Sequence, residues 1–428
     1  MSRIDCILYP PTLDYNYLVQ RPQQLMKNFS ELGIPTFFLN EPSPGSMQER
    51  SIKKGNSDLY IFNHVDPRPY LRAARPVVYF SAAWHIDIVQ QYNPALLVFD
   101  SVDEPSDEFE AWKPYYSRAV SLADIVLNTS DKLYEMSRAI NPHSYLVPNG
   151  CDYNYFSQAA DRNLPVPDDI AKIPGPIIGY IGVIASWLDL HLIERLAQQF
   201  PHCNVVMIGP LYNVSQIPRQ PNLHWLGFKP YEQLAHYSQC FDVGIIPFIQ
   251  SNMVDAVNPI KMWEYMASGI PVVSTAIPEA RKYPDLVLYS PNNNEFLSNV
   301  QRALYQDSPE IRNRRMAVAE QNSWRHRAEQ VVEIIEQRLE EKNHQPLGRD
   351  ALFYDSLIEQ GIAPHTGYTT QIISNYRRLS FSTRIALRIS ARGYVPLGRW
   401  AGKGLISGSR GIRFQSQAAY RYRTAKVH

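Results

Sequence analysis

Residues 241–282 read F-D-V-G-I-I-P-F-I-Q-S-N-M-V-D-A-V-N-P-I-K-M-W-E-Y-M-A-S-G-I-P-V-V-S-T-A-I-P-E-A-R-K. The apolar run Val243–Phe248 has the length and branching of a buried strand. A helix is then predicted to begin with Asn258 as its N-cap and Pro259 in its first position, and to end at Gly269. A second short apolar run follows, so the stretch predicts a β–loop–α–β unit of a parallel sheet.

Two charged residues of this helix have more than one interpretation. Lys261 lies in the first turn, where the helix dipole disfavours a cation, unless an anion lies at the helix start. Glu264 follows one turn later, and its carboxylate could accept hydrogen bonds from sugar hydroxyls. The alternative is a Lys261–Glu264 ion pair on the surface, which contributes little to stability.

The same stretch resembles the donor-binding segment of GT-B glycosyltransferases of the large retaining group similar to family 4, also called group 1. That family carries E-x7-E before an [AC]-x-G-x-P-V-[VI] turn. Glu264 matches the second glutamate and residues 267–273 match the turn, whereas Ala256 replaces the first glutamate. The pattern N-P-x-K-x-x-E-Y-x-A-x-G-x-P-V-V is similar to a subgroup of bacterial polysaccharide assembly proteins that includes teichuronic acid synthesis proteins.

The resemblance implies roles for several residues of the predicted helix. Glu264 would bind the ribose or sugar of a nucleotide donor. Asn258, the amide of Ile260 and Lys261 would hold the diphosphate. Lys261 and Glu264 are therefore candidate catalytic residues as well as donor-binding residues.

The rest of the chain alternates short apolar strands with helical patterns. This rhythm predicts an α/β fold of two doubly wound parallel sheets, and the resemblance implies the GT-B arrangement of two Rossmann-like domains that face each other across a cleft. V-P-N-G-C-D at 147–152 resembles the segment that joins the two domains. The predicted parts are an N-terminal, acceptor-binding domain (1–160), a C-terminal, nucleotide-sugar donor domain (173–323), a crossover helix returning to the first domain (324–343) and a basic C-terminal extension (346–428).

The loop after the first strand, residues 10–24, is the first ligand-binding position of such a domain. It lacks G-x-G-x-x-G, which argues against a dinucleotide oxidoreductase. It ends with R-P-Q, similar to the R-P-x-x-L-A start of the subgroup. Arg21 is either a phosphate or acceptor contact, or a capping or interdomain arginine.

Other polar residues follow predicted strands of the first half. Asp100 and Asp103 come at the end of a central strand, where functional groups of parallel sheets lie, although Asp is also a common helix cap or turn former. Asp100 occupies a position where the family often has a His, so it is a candidate acceptor contact or catalytic base. Asp103 and His85 are candidate acceptor or phosphate contacts, with a structural histidine as the alternative for His85.

The second half restarts the strand–helix alternation. Gly182 and Gly209 each follow a predicted strand and are candidate donor contacts through their backbone. Phe228 lies in a segment that resembles the loop that stacks on the nucleotide base. The family's usual Arg and Lys after Gly182 are absent, because the sequence there is G-V-I-A-S-W-L-D.

The spacing of the cysteines and the lack of long apolar runs argue against several kinds of site and segment. Four cysteines, Cys6, Cys151, Cys203 and Cys240, have no C-x-x-C spacing, so neither a zinc site nor a disulfide framework is predicted. No D-x-D pair is evident at a strand end, and no metal or other cofactor is predicted. The chain has no signal-peptide pattern and no apolar run near 20 residues, so a cytoplasmic protein is expected. A peripheral position at the inner face of the cell membrane is the further possibility that the basic C-terminal extension raises.

The charge is unevenly distributed. Residues 371–428 contain 12 Lys or Arg and no Asp or Glu, whereas residues 1–370 contain 30 basic and 41 acidic residues. Such a basic, aromatic-containing segment suits an anionic membrane surface. Docking on the protein's own acidic body and nucleic-acid binding are the alternatives, and nucleic acid is the least expected partner.

The functional expectation is a retaining hexosyltransferase of class EC 2.4. It would move a sugar from a nucleotide-diphosphate donor to a polysaccharide or lipid-linked glycan of the cell envelope. One alternative is a GT-B sugar-nucleotide epimerase. The other is a catalytically silent, membrane-associated subunit of a glycan assembly complex, which the missing Glu, Arg and Lys positions suggest.

Overall fold

The computed structural model describes residues 3–42 and 49–344. In these ranges the strands are β1 (Ile7–Tyr9), β2 (Thr36–Asn40), β3 (Ser51–Lys54), β4 (Leu59–Asn63), β5 (Val77–Phe80), β6 (Leu96–Ser101), β7 (Ile125–Asn128), β8 (Ser144–Leu146), β9 (Ile177–Ile181), β10 (Asn204–Ile208), β11 (Leu223–Gly227), β12 (Val243–Ile246), β13 (Val272–Ser274) and β14 (Val287–Tyr289). The α-helices are α1 (Arg21–Glu31), α2 (Arg68–Leu71), α3 (Lys113–Leu122), α4 (Asp131–Arg138), α5 (Tyr153–Phe156), α6 (Asp168–Ala171), α7 (Leu190–Gln199), α8 (Leu234–Ser238), α9 (Asn252–Asp255), α10 (Ile260–Ala267), α11 (Pro278–Arg281), α12 (Asn293–Gln306), α13 (Pro309–Gln321) and α14 (Trp324–Glu341). Short 3-10 helices cover Ala83–Asp87, Val89–Tyr92, Asp107–Trp112, Ser157–Asp161 and Tyr231–Gln233.

The strands form two separate sheets. The first has the order β3-β4-β2-β1-β5-β6-β7-β8 and the second the order β11-β10-β9-β12-β13-β14. Neighbouring strands pair in parallel, except that β3 is antiparallel to β4. The direction of winding reverses beside β1 and beside β9, and ligands of such sheets bind at these switch points. The predicted doubly wound α/β fold is confirmed.

The central strands are buried on both faces because helices cover both sides of each sheet. Every residue of β2 and of β9 is buried. Strands in this position therefore appear in the sequence as continuous apolar runs instead of alternating patterns. Continuous apolar runs of this length therefore indicate a parallel sheet.

Helix α10 packs closely on the middle of the second sheet. A Cβ atom at Gly244 of β12 would lie 2.5 Å from the Tyr265 ring, so only glycine leaves room for that ring. The Tyr265 hydroxyl accepts a hydrogen bond from the N–H of Ile181, at the end of β9, at 2.7 Å. These two contacts bring the start of α10 to the carboxyl end of the sheet.

The last described helix, α14, belongs to the core of the first sheet. Trp324, Val331, Ile335 and Leu339 lie in one apolar cluster with residues of β1 and α1. The N–H of Arg3 donates to the Glu336 carboxylate at 2.9 Å. The helix thus begins just after the second sheet's elements and lies against the first, in the segment predicted as a crossover.

Two elements depart from the regular alternation of strands and α-helices. Residues 83–92 form a pair of 3-10 helices, in which the buried residues Ala83, Ile86, Val89 and Tyr92 recur every three residues, the period of a 3-10 helix. Strand β3 has the sequence S-I-K-K, which lacks the apolar run typical of the buried strands. It lies at the sheet edge, where lysines are common because they discourage pairing with other chains.

The predicted basic extension at 346–428, including the membrane-binding segment 371–428, lies outside the described residues. Within the described ranges, no helix combines the length and the apolar character that crossing a bilayer requires.

Candidate functional site

A cavity of about 230 Å³ lies between the two sheets, at the carboxyl ends of the strands of the second sheet. One wall comes from the first domain, from the loop that precedes α1. The other walls come from the ends of β9 and β10, the segment after β11, and the start of α10. The lining residues are Leu18, Val19, Gln20, Tyr180, Ile181, Gly182, Val183, Trp187, Ile208, Gly209, Pro210, Phe228, Lys229, Tyr231, Leu234, Ile260, Lys261 and Glu264.

The start of α10 differs from the prediction in one respect. Pro259, not Asn258, is the N-cap, and the helix begins at Ile260. Asn258 is 2% exposed, and its Oδ1 accepts a hydrogen bond from the indole Nε1–H of Trp263 at 3.0 Å. Asn258 therefore does not line the cavity, and its predicted contact with a diphosphate is not supported by this geometry.

Lys261 points its ammonium group into an aromatic environment. Its Nζ lies 5.3 Å from the centre of the Tyr180 ring and 4.9 Å from that of Phe248. The ring faces attract the cation and partly replace lost water. Burial lowers the pKa of Lys261 to about 8, although the charge of Glu264 acts in the opposite direction.

Gly182 makes room for this lysine. A Cβ atom there would lie 2.9 Å from Lys261 Cε, and the φ angle of +148° is one that other residues rarely adopt. Gly209, with φ +144°, lies directly against the Gly182 carbonyl, since a Cβ on Gly209 would be 1.9 Å from that oxygen. The two predicted glycines thus form a bare backbone surface beside the lysine.

Glu264 is 8% exposed, and its carboxylate lies on the same cavity as Lys261. Burial raises the pKa of Glu264 to about 7, with Lys261 opposing this and Asp152 adding to it. The two side chains form no ion pair within 4 Å, so the interpretation as a surface pair does not hold. Among the described residues, none donates a hydrogen bond to the Glu264 carboxylate.

Phe228 also lines the cavity and comes from the segment after β11. Its ring is 38% exposed and lies 4.9 Å from the ring of Tyr17, which belongs to the first domain. Other contacts also join the domains: Asp107 accepts from the N–H of Met253 at 2.9 Å, and Glu108 accepts from the Ser186 hydroxyl. The described conformation therefore has the two domains in contact around the cavity.

Asp100 and Arg21 do not line this cavity. Asp100 is fully buried, and its Oδ2 accepts from Arg21 Nε at 2.7 Å. Arg21 Nη1 also donates to the Pro148 carbonyl at 3.1 Å and to Asn149 Oδ1 at 3.3 Å. These contacts match the interdomain alternative for Arg21. They give Asp100 a fixed positive partner instead of an open position from which to accept a substrate proton.

His85 and Asp103 are likewise separate from the cavity. His85 is fully buried and donates from Nε2 to the Pro11 carbonyl at 3.1 Å, while burial lowers its pKa to about 3. A neutral imidazole in this position holds the loop before α1, in line with the structural alternative. Burial, together with the charge of Asp100, raises the pKa of Asp103 to about 7.

Several cavity residues were not predicted as site residues. Leu18, Val19 and Gln20 come from the other domain, and no local pattern indicates which loop residues cross the cleft. Lys229 is paired with Asp169 at 2.6 Å. Tyr231 has a buried hydroxyl without a hydrogen-bond partner in the described ranges, and its position just after the predicted base-stacking loop was the available signal.

No group of three or more His, Cys, Asp or Glu side chains within the described residues is arranged to hold a metal ion. A reaction without a metal remains a prediction.

A known protein family matches the part of the chain that forms the second sheet and its helices. Residues 175–307 match the family model described as "Glycosyl transferases group 1". The second domain is a group 1 glycosyltransferase domain. The α10 start, the two glycines and Phe228 all lie within this group 1 domain.

A related protein and several solved structures extend this result. The chain is 29% identical, over 48% of its length, to a Bacillus subtilis (strain 168) protein provisionally named teichuronic acid biosynthesis glycosyltransferase TuaH, and the match spans only 55% of that relative. Sucrose-phosphate synthase from Thermosynechococcus elongatus has a TM-score of 0.59 at 16% identity, covering 78% of this chain and 98% of that one. Anabaena Alr3699/HepE in complex with UDP and glucose has a TM-score of 0.56 at 14% identity, covering 78% and 99%. The group 1 domain is thus part of a GT-B fold, as predicted.

Proposed function

We propose that this protein transfers a sugar, with retention of configuration, from a nucleotide-diphosphate donor to a glycan acceptor. The observation that carries the proposal is the cavity at the start of α10, where Lys261, Glu264 and the backbone of Gly182 and Gly209 meet. The donor class is supported by solved structures of the same fold that contain UDP or UDP-2-fluoro glucose. A polysaccharide acceptor is supported by the relative named for teichuronic acid biosynthesis, and a lipid-linked form of that acceptor is part of the proposal.

The chemistry of the proposed reaction follows from where charge develops. As the bond between sugar and diphosphate breaks, negative charge grows on the leaving phosphate oxygens. A cation and free backbone N–H groups that already point at this position lower the barrier, because they need no reorganisation during the reaction. Lys261 and the first N–H groups of α10 are the groups we assign to this role.

Lys261 is suited to an anion because nothing in its surroundings neutralises it fully. Its ammonium group has ring faces as neighbours, and no carboxylate of the described residues lies within 4 Å of it. A bound diphosphate would raise the pKa of Lys261 again, since an adjacent anion favours the charged form. The buried Glu264 carboxylate would accept hydrogen bonds from ribose or sugar hydroxyls, and Phe228 would stack on the base.

The experiment is a donor turnover assay on the purified full chain, with release of nucleoside diphosphate from a set of nucleotide sugars as the readout. Lys261→Ala and Glu264→Ala should each lower turnover by about tenfold or more, because each removes a group that acts at the reacting diphosphate or its ribose. Lys282→Ala is the matched control, since Lys282 is paired with Glu279 and Asp131 away from the cavity.

Unchanged turnover in both site variants, with the fold intact by circular dichroism, would show that the site is assigned wrongly. Product analysis without acceptor separates the transferase from an epimerase, because only an epimerase would convert the nucleotide sugar into its epimer. Calorimetry with several nucleotide sugars tests for a silent subunit, which would show no donor-selective binding.

A further inference from the structure

A line of buried hydrogen bonds runs from the first sheet to the start of α10. Asp100, at the end of β6, accepts from Arg21 Nε at 2.7 Å. Arg21 Nη1 donates to Asn149 Oδ1 at 3.3 Å, and Asn149 Nδ2 donates to the carbonyl of Asn258 at 2.6 Å. Asn258 Oδ1 accepts from Trp263 of α10. The line therefore crosses from one domain to the other through the interdomain segment that contains Asn149.

The orientation of the Asn149 amide follows from the chemistry of its neighbours. An arginine has only hydrogen-bond donors, so the amide oxygen must face Arg21. A backbone carbonyl only accepts, so the amide nitrogen must face Asn258. Arg21 thus fixes which end of the Asn149 side chain meets the donor domain.

All members of this line are nearly without solvent contact. Arg21 and Asn258 are each 2% exposed, Asn149 is 9% exposed, and Asp100 is fully buried. Water cannot replace a lost partner easily in such surroundings, so each bond constrains its neighbour strongly. The restrained carbonyl of Asn258 precedes Pro259, the N-cap of α10, and Lys261 follows three residues after Asn258.

We propose that Arg21 and Asn149 are positioning residues for the diphosphate end of the donor site. Neither lines the cavity, and both act through the carbonyl of Asn258, which sets the position of the first turn of α10. This inference rests on the proposed function for the identity of the ligand. It goes beyond that function because it assigns donor positioning to a residue of the opposite domain.

The decisive substitution is Asn149→Asp, which keeps the size and the acceptor for Arg21 but removes the donor to Asn258. Uridine diphosphate is the probe, and its dissociation constant is measured by calorimetry on the full chain. We expect binding to weaken by about tenfold or more, because a buried acceptor would lose its donor and face a carboxylate.

Asn322→Asp is the matched control. Asn322 also accepts from an arginine, Arg327, and its Nδ2 donates to the carbonyl of Val318 at 2.7 Å, in α13 instead of α10. The chemistry of the change is the same, and Asn322 also lies beside the interdomain segment, since its carbonyl accepts from the N–H of Cys151. Affinity for uridine diphosphate should change less than about twofold, because α13 does not line the cavity.

A second readout needs no ligand. Hydrogen exchange, followed by mass spectrometry, should accelerate in the peptide covering 258–267 for Asn149→Asp but not for Asn322→Asp, which should instead affect 309–321. Arg21→Lys keeps a positive charge beside Asp100 but replaces the two donor nitrogens, Nε and Nη1, with a single ammonium nitrogen. It should fold and still show the faster exchange at 258–267.

The inference is overturned if Asn149→Asp and Asn322→Asp weaken binding equally, or if exchange at 258–267 is unchanged in Asn149→Asp and Arg21→Lys. A wild-type protein that binds no nucleoside diphosphate would count against the proposed function. In that case the exchange experiment alone decides whether Arg21 and Asn149 hold the start of α10.

Discussion

Lys261 and Glu264 illustrate the unfavourable free energy of burying ionisable side chains beside a cavity. Both line the cavity. Burial lowers the pKa of Lys261 and raises the pKa of Glu264, and each shift favours the neutral form of the side chain. A protein selected only for stability would place apolar side chains at such positions, because uncompensated buried charge is unfavourable. The arrangement is therefore better explained by a bound partner that supplies the missing interactions.

The raised pKa of Glu264 predicts how the stability of the Glu264→Gln variant depends on pH. The folded-state pKa is about 7, above the ordinary value of 4.5, so between these pH values the folded protein keeps a proton that the unfolded chain releases. Stability therefore falls as pH rises through this window, and the loss is complete above pH 7. Glutamine does not ionise, so the variant should be more stable than wild type at pH 8 by about 1–3 kcal/mol, and no longer so near pH 4.

Urea unfolding of both proteins at a series of pH values is the measurement. Glu320→Gln, at an exposed position of α13, serves as the control and should show no such pH-dependent difference. Equal stability of Glu264→Gln and wild type at pH 8 would mean that the carboxylate is not buried at a cost.

At the scale of elements, α10 contributes residues to the cavity, whereas α14 contributes residues to the core of the first sheet. Helix α10 carries the site, and its close approach depends on Gly244 and Tyr265. Helix α14 carries no cavity residue but completes the apolar core of the first sheet. Disrupting α14 should therefore affect stability first.

Ile335→Ala tests the role of α14. Ile335 is fully buried among residues of the first sheet, so truncation should lower the free energy of unfolding by about 2–5 kcal/mol. Glu333→Ala, at an exposed position on the same helix, should change it by less than about 0.5 kcal/mol. Chemical unfolding measures both. A small effect at Ile335 would mean that α14 does not complete this core.

Elements with strong local signals were predictable, and those fixed by long-range packing were not. The buried strands and the β12–α10–β13 unit follow from apolar runs, a proline and a terminal glycine. Asn258 suits an N-cap by residue type, but Trp263 and Asn149 compete for its polar groups. The 3-10 period at 83–92 was present in the sequence, although its spacing also fits a short helix.

At the scale of the whole molecule, the site is formed by both domains, and this limits what the sequence can indicate. Lys261, Glu264, Gly182, Gly209, Phe228 and Ile260 were predicted from the second domain, and all line the cavity. The first-domain candidates Arg21, Asp100, Asp103 and His85 do not. Polar residues at strand ends are candidates for chemistry, but only the tertiary structure shows that Asp100 and Arg21 pair with each other.

The uneven charge of the chain also belongs to this scale, and membrane binding through 371–428 stays a prediction. The full chain should bind vesicles that contain anionic lipid more tightly than neutral vesicles, and deletion after Leu379 should abolish this, because about 1 kcal/mol is gained per basic residue near such a surface. A variant with Arg384, Arg388 and Arg392 changed to Gln keeps the length and should bind in between. Co-sedimentation measures binding, and retained binding after deletion would exclude the segment as the membrane anchor.

The position of α14 has a consequence for how the protein is made. The ribosome releases β1 and α1 early, but their covering helix is synthesised only after the entire second domain. Until then, we expect the apolar side of α1 to lack the cover that Trp324 and Ile335 provide in the folded protein. The second domain can therefore finish folding during translation, whereas the first domain, begun earlier, is completed last.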